Sequence, residues 1–456
     1  VIGPILLNQE GAYALTQASR RSSMVSLSSK KLAVIGLGYV GLPLAVAFGS
    51  LRPVVGFDKN TLRIQELKDS FDRTMECSRE QLIAARYLQF TNDQHELADC
   101  SVFILSVPTP LGPGNKPDLS YLNVATALVG QYLKSGDVVI YESTVFPGAT
   151  EEIFAPILEK VSGLVFNKDF YCGFSPERTN PGDKINTLTT VTKIVSGSNA
   201  KITEEIGILY SQIVKPGTWN ATSIKVAEAA KIIENTQRDL NIALINEIAV
   251  IFERLGIDTA EVLEAASTKW NFLHFRPGMV GGHCIGVDPY YLTFKAEQVG
   301  YHPQLILAGR KINENMARYA ARNILKRMSN NGIDLGSASL GVLGVTFKEN
   351  CPDIRNSKVF DLIKEFKAWG VNVVALDPWA DPSDVSREYG VQLVDSMQKR
   401  SLDSVVVAVA HSDFKFLSPS DLRKLCKNNV KPVLGDLKAI YDRHECAESG
   451  FEVYRL

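Results

Sequence analysis

A glycine loop between a buried strand and a helix, a second set of buried strands beyond residue 330, and an unbroken helical period between them predict an α/β chain. The expected architecture is two Rossmann-like parallel-sheet domains joined by a long central helix and a small helical domain. The divisions fall at 1–30 (a flexible N-terminal tail), 31–215 (a dinucleotide-binding unit), 216–330 (central helices with a catalytic loop) and 331–456 (a second Rossmann-like unit). A chain of 456 residues is too long for one compact core, which suits this division.

Composition narrows the function classes. With 45% hydrophobic and 22% charged residues the chain is of ordinary globular type. A formal charge of −1 offers no bulk basic surface for nucleic acid, and no apolar run reaches the roughly 20 residues that span a bilayer. Seven cysteines, odd in number and without a CxxC pair, suit a reduced cytoplasm rather than a disulfide framework. The six histidines include no HxxxH or HExxH spacing, so no metal site is expected. Residues 1–30 lack the basic start and long apolar core of a secretory signal and are read as a lead-in without chemistry.

The stretch from Lys31 is a buried-strand pattern that runs into Gly36-Leu37-Gly38-Tyr39-Val40-Gly41, and an apolar helix follows. Val54 to Asp58 is a second strand ending in an acid. Gly36 permits the tight turn, Gly38 lets backbone N–H groups approach a pyrophosphate, and Gly41 lets helix and strand close. The helix N-terminus turns the positive end of its dipole to the phosphates. Asp58, 22 residues after Gly36, meets the adenosine ribose and repels a 2′-phosphate, so NAD is expected rather than NADP. A bare GxGxxG is weak; with strand, helix and terminal acid in place it is specific. Further strands over 100–107, 137–143 and 170–175 lead to Thr109, Thr144 and Glu177. Ligands of open parallel sheets sit beyond the carboxyl ends of strands, which places both threonines beside a cofactor. Alone, each reads as a turn residue. Glu177 is placed to polarise a water, against the plainer reading of a solvated loop acid.

From Ser223 to Leu255 apolar residues recur at helical spacing (Val226, Ala229, Ala230, Ile233, Leu240, Leu244, Ile248, Ile251), with no Pro or Gly before Gly256. That is a helix of about 33 residues and about 50 Å, a length suited to spanning domains or forming a dimer seam. Lys231 and Asn235 stand four apart and share one face. After a short helix over Thr259–Ser267, an aromatic, glycine-rich loop from Lys269 suits a ligand ring. It leads into Gly281-Gly282-His283-Cys284-Ile285-Gly286-Val287-Asp288. A lone cysteine is by default a small buried hydrophobe. Flexible glycines, His283 alongside and a carboxylate four residues on are instead the setting of a covalent nucleophile beside a nicotinamide.

Ser339–Gly344, Val371–Asp377 and Ser404–Ala410 read as strands of a second, degenerate dinucleotide fold without the full glycine loop. It is expected to bind something phosphorylated other than a whole NAD. Lys348 and Arg355, on the loop after its first strand, are candidate phosphate partners, with ordinary surface charge as an equal alternative.

Val107-Pro108-Thr109-Pro110, Glu142-Ser143-Thr144-Val145, Ser175-Pro176-Glu177, Lys231 with Asn235, Cys284 with Asp288, and Phe347-Lys348 with Arg355 follow the glycine loop in one order. Together they resemble the UDP-glucose/GDP-mannose dehydrogenase family over everything from Lys31 onward. Residues 233–243, 270–278, 283–291 and 347–356 look like the bacterial UDP-N-acetylhexosamine dehydrogenases of capsule, Vi-polysaccharide and O-antigen synthesis. Val280-Gly281-Gly282-His283-Cys284 stands where UDP-glucose dehydrogenases typically have Phe-Gly-Gly-Ser-Cys, which points away from UDP-glucose. The resemblance implies a four-electron oxidation of the sugar C6 alcohol to a carboxylate, with two NAD⁺ used in turn. It gives Cys284 a thiohemiacetal and then a thioester, Lys231 and Asn235 the oxyanion, and Asp288, Thr144 and Glu177 the hydrolytic water. Lys231, Asp288 and a bound water stay open as the first base, and UDP-GlcNAc and UDP-GalNAc as the substrate.

The same resemblance puts UDP against Phe347 and Lys348, with Glu177, Arg178, Lys231, Asn235, Arg276 and Gly278 also on the substrate. Arg355 lies by the NAD pyrophosphate, Arg63 flanks the adenosine, and Tyr39 and Val40 belong to the cofactor loop. A homodimer through the 223–255 helix, or a higher homo-oligomer, is expected. Two rivals stand beside this reading. A two-electron β-hydroxyacid dehydrogenase needs a lysine but no thiol, and a non-catalytic nucleotide-sensing scaffold binds NAD or UDP without releasing NADH.

Overall fold

The computed structural model describes residues 26–179, 183, 185–398, 401–429 and 431–456, so the expected tail lies outside the described residues as far as residue 25. Eight strands form the first sheet: β1 (Leu32–Ile35), β2 (Val54–Phe57), β3 (Leu88–Thr91), β4 (Val102–Leu105), β5 (Val138–Tyr141), β6 (Tyr171–Phe174), β7 (Lys193–Gly197) and β8 (Thr218–Asn220). Their spatial order is β3-β2-β1-β4-β5-β6-β7-β8, parallel throughout except where β6 meets β7. The order reverses between β1 and β4, the crevice where such sheets take their ligands. Side chains alternate across the pleat: Ala33 and Ile35 enter one core, Leu32 and Val34 the other. A strand buried on both faces reads as a continuous apolar run for this reason.

The second sheet holds β9 (Ser339–Leu343), β10 (Asn372–Leu376), β11 (Ser404–Val407), β12 (Val433–Asp436) and β13 (Glu452–Tyr454), in the parallel order β10-β9-β11-β12-β13. The helices that position the site are α1 (Gly41–Gly49), α2 (Ala200–Ser211), α3 (Ile224–Leu255), α4 (Thr259–Ser267), α5 (Asp288–Gln298), α6 (Gln304–Asn330) and α7 (Lys358–Ala368).

Ser223 caps α3 by accepting the Val226 N–H at 3.3 Å, and Gly256 at φ 72° ends it. Helix α6 lies along it, and a Cβ on Gly309 would stand 2.6 Å from Leu240 Cδ2. The buried face of α3 carries Glu228, Lys231, Asp239 and Asn246, while Val226, Ile233, Leu244 and Ile251 are 40–55% exposed. Ile224, Ala227, Ile232, Ala243, Ile245 and Ala249 share the buried face, so polar groups are set into an apolar seam while a second apolar stripe stays outside. The buried polar groups have partners there: buried Arg310 of α6 donates to Asp239 at 2.6 Å, and Asn313 donates to the Asp239 carboxylate at 2.7 Å. Among the described residues no helix is long and apolar enough to cross a membrane.

Candidate active site

The carboxyl ends of β1, β4 and β5 open on a cavity of about 470 Å³. Gly36 adopts φ +90°, and a Cβ there would stand 2.5 Å from Ser106 O; one on Gly41 would stand 1.9 Å from Gly36 O. A Cβ on Gly38 would meet nothing within 4 Å, because that backbone faces the cavity, with room for a pyrophosphate. Tyr39, Val40, Thr109 and Thr144 border the same space. Asp58 braces the loop: its Oδ2 accepts the Leu37 N–H at 2.9 Å and its Oδ1 that of Asn60 at 2.9 Å. Its carboxylate also borders the cavity, where a ribose diol would need it. These residues fit NAD. Arg63 corrects the expectation, since it does not flank this space. It is buried, its Nε donates to Leu37 O at 3.0 Å and its Nη2 pairs with Asp72 at 2.7 Å, so it supports the loop from behind.

Helix α3 brings Lys231 to the cavity with Asn235 one turn on, and cavity-lining Asp288 meets both as the first residue of α5. Asn235 Nδ2 donates to Asp288 Oδ2 at 2.6 Å, and Lys231 Nζ lies 3.7 Å from the same oxygen. The turn before α5 is closed by the Asp288 N–H on Cys284 O at 2.8 Å, so thiol and carboxylate share one cavity. Cys284 is half-buried, whereas the other six cysteines are buried. Gly282 sits at φ +80°, and a Cβ on it would press 2.9 Å from the Phe347 ring. Tyr291 of α5 ties this turn to the cofactor side by donating to Thr109 O at 2.7 Å.

Burial pushes the Cys284 thiol up to about 11, against the pull of Lys231. Burial also lifts the Asp288 carboxyl above its usual range despite Lys231 and Asn235. Burial opposes the charge on Lys231, but Asp288 and Cys284 outweigh it and hold the ammonium above the ordinary lysine range. Burial, then Arg355, push His283 down to about 4, so its ring is neutral at neutral pH. The site is thus a protonated thiol beside a fixed cation, with one carboxylate bridging lysine and amide.

Glu177 also borders the cavity, and its Oε1 accepts the Arg178 and Thr179 N–H groups at 2.6 and 2.7 Å. Arg178 itself turns away, pairing with Glu234 of α3 at 2.7 Å. Arg276 is exposed on the loop. Gly278 is held by Asn246, whose side-chain amide bonds its N–H at 2.8 Å and its C=O at 3.0 Å. Phe347 packs behind Gly282, and Lys348 adjoins its ring at 5.7 Å. Arg355 pairs with Asp353 at 2.6 Å, lies 4.4 Å over the Tyr39 ring and borders the cavity, joining the second sheet's loop to the glycine loop.

In the second sheet Asp377 stands where Asp58 stands in the first, but its Oδ2 accepts the Val345 N–H at 2.6 Å and lies 3.1 Å from His411 Nε2. Its own loop and histidine take the place of a ribose there. Sequence reading missed Lys438, whose Nζ comes within 3.6 Å of where a Cβ on Gly278 would stand. It missed Lys193 and Asn246 as well. Each is a single residue whose partners lie far along the chain, so no local spacing announces it.

A dinucleotide loop and a thiol flanked by lysine and carboxylates on one cavity, with a second parallel sheet beside it, define a nicotinamide-dependent dehydrogenase of the cysteine-bearing class. Its NAD-binding, central and UDP-binding domains match residues 30–214, 225–315 and 341–443, and the chain belongs to the UDP-glucose/GDP-mannose dehydrogenase family. It is 53% identical over 417 residues to a UDP-N-acetyl-D-glucosamine 6-dehydrogenase of Salmonella typhi, covering 91% of this chain and 98% of that one. A Pseudomonas aeruginosa enzyme of the same name is 53% identical over 412 residues, covering 90% and 97%. The solved UDP-D-ManNAc dehydrogenase of Pyrococcus horikoshii superposes with a TM-score of 0.83 at 31% identity, covering 93% of this chain and 98% of that one.

Proposed function

We propose that the chain oxidises the C6 alcohol of UDP-N-acetylglucosamine to the carboxylate in two successive NAD⁺-dependent steps through a Cys284 thioester, serving bacterial surface-polysaccharide synthesis. The observation that carries this reading is the single cavity shared by Cys284, Lys231, Asp288 and the glycine loop, with Asn235 bonded to Asp288 behind it. The likeness to two UDP-N-acetyl-D-glucosamine dehydrogenases supports the choice of sugar.

Bound NAD⁺ supplies the hydride acceptor for each oxidation. The difficulty is the second hydride, because a free aldehyde cannot release one usefully until a nucleophile adds. The Cys284 sulfur bonds to C6 and its proton leaves; Lys231 and Asn235 stabilise the oxygen that carries negative charge. Loss of hydride from that thiohemiacetal leaves the thioester. Water then bonds to the acyl carbon, its proton passing to Glu177 or Asp288, while the C–S bond breaks and sulfur departs as thiolate beside Lys231. The sum is one alcohol, one water and two NAD⁺ giving one carboxylate, two NADH and three protons. In this reading Phe347 and Lys348 hold the UDP portion together with Lys438, which lies by Gly278, and Arg276 and Gly278 complete the substrate loop. Seven unpaired thiols suit work in the cytoplasm.

End-point counting with purified UDP-GlcNAc is expected to give two NADH per sugar consumed. One NADH would overturn the thioester route, and none would favour the scaffold reading. The exposed stripe of Val226, Ile233, Leu244 and Ile251 on α3 is the surface for a second copy of the chain. Sedimentation of the wild type should show a dimer that Leu244→Glu with Ile251→Glu converts to a monomer; a monomeric wild type would refute this arrangement.

A further inference from the structure

Behind Glu177 lies a buried charge cluster that the reaction scheme leaves unused. Lys193, at the start of β7, is enclosed, and its Nζ bonds Glu142 Oε2 at 2.6 Å and Pro176 O at 2.9 Å. Its third direction faces Glu177 Oε2 at 4.0 Å. Two acceptors take two of the three ammonium protons, and Glu177 completes the surroundings as a longer-range ion pair. Tyr210 of α2 donates to the other oxygen of Glu142. Both carboxylates border the reaction cavity, so the cluster forms its wall.

We propose that Lys193 is a positioning residue for thioester hydrolysis: its ammonium fixes the Ser175–Glu177 turn and holds the Glu177 carboxylate as an anion facing the water. The inference rests on the reading of Glu177 as a base toward that water. A plain structural ion pair would need only Glu142. Lys193 also bonds the carbonyl immediately before Glu177 and faces its carboxylate. The other charged or titratable groups around the cluster are Lys231 from α3, Glu142 after β5, Tyr210 from α2 and the Arg178–Glu234 pair.

The electrostatics agree. Burial works against the charge on Glu177, yet Lys193 and the backbone N–H groups outweigh it and hold the carboxyl below its usual range. Burial pushes neighbouring Glu142 up to about 7 even with Lys193 beside it. One lysine serves two acids, and the acid with two backbone donors stays the more readily ionised. In the step itself water loses a proton to Glu177 as its oxygen bonds to the acyl carbon, and the C–S electron pair leaves with Cys284. A neutral Glu177 could not accept that proton.

The test is the pH profile of kcat, with melting temperatures, for wild type, Lys193→Arg, Lys193→Met and Lys193→Met with Glu142→Gln. The double variant removes the unpaired acid, so it should fold even where Lys193→Met alone does not. Losing a cation at this range raises the pKa of Glu177, so the acid limb should move upward by about one pH unit in both lysine-less proteins. Lys193→Arg should restore the wild-type limb. A double variant with the wild-type profile would reduce Lys193 to a partner of Glu142 and overturn the proposal. Glu177→Gln separates the two readings. It should release a burst of two NADH per site and then turn over slowly; if it turns over normally, the reading of Glu177 fails, whatever Lys193 does.

Discussion

Replacing Cys284 by alanine is expected to lower four-electron turnover by about four orders of magnitude, as loss of a covalent nucleophile does. The residual reaction should change character as well as rate. Without sulfur the aldehyde formed by the first hydride transfer has no partner, so NADH per sugar consumed should fall from two to one. The fold should survive, because Cys284 is half-buried and its removal empties no closed core. Binding of NAD, measured by fluorescence titration, should be nearly unchanged, since the glycine loop and Asp58 do not touch the thiol. An alanine variant that keeps its rate would instead put the chain among two-electron dehydrogenases that need a lysine and no sulfur.

Much of this site was legible in the sequence because its parts are local. The loop from Gly36 to Gly41, the acid at Asp58 and the run from Gly281 to Asp288 each carry their geometry within a few residues. The one-turn spacing of Lys231 and Asn235 likewise survives in α3. What was not legible depends on contacts between distant segments. The apolar period of α3 marked a helix suited to spanning domains or forming a dimer seam, but not the polar groups that lie in its buried face. Periodicity does not announce distant partners, and here Arg310 for Asp239 and Gly278 for Asn246 bring polar side chains into an apolar seam. Arg63 failed for a related reason. Its place five residues after Asp58 suited an adenosine contact, but Asp72 and Leu37 O claim the guanidinium first. The short strands β8 and β13 carry too few residues to show an alternation.

The sharpest remaining discriminator is Lys231→Met, which should cut kcat by about a thousandfold, the scale of losing one oxyanion donor. The ammonium has two tasks in the geometry, and pH separates them. It lowers the Cys284 thiol, which burial has pushed up to about 11, so the rate of the wild type should climb with pH on the alkaline side as thiolate forms. Without Lys231 the thiol moves higher still, and that limb should shift to higher pH. The second task is holding Asp288 ionised. Burial already lifts this carboxyl above its unfolded value, so its contribution to stability is present at low pH and lost as pH rises through the folded pKa. Removing the lysine lifts that pKa further. The melting temperature of Lys231→Met should therefore fall further below wild type at pH 8 than at pH 5. Lys231→Arg, which keeps the charge but spreads it over a plane, should recover the stability more than the rate. A methionine variant within tenfold of wild type, with neither limb nor melting difference moved by pH, would remove Lys231 from the chemistry and leave the oxyanion to Asn235 alone.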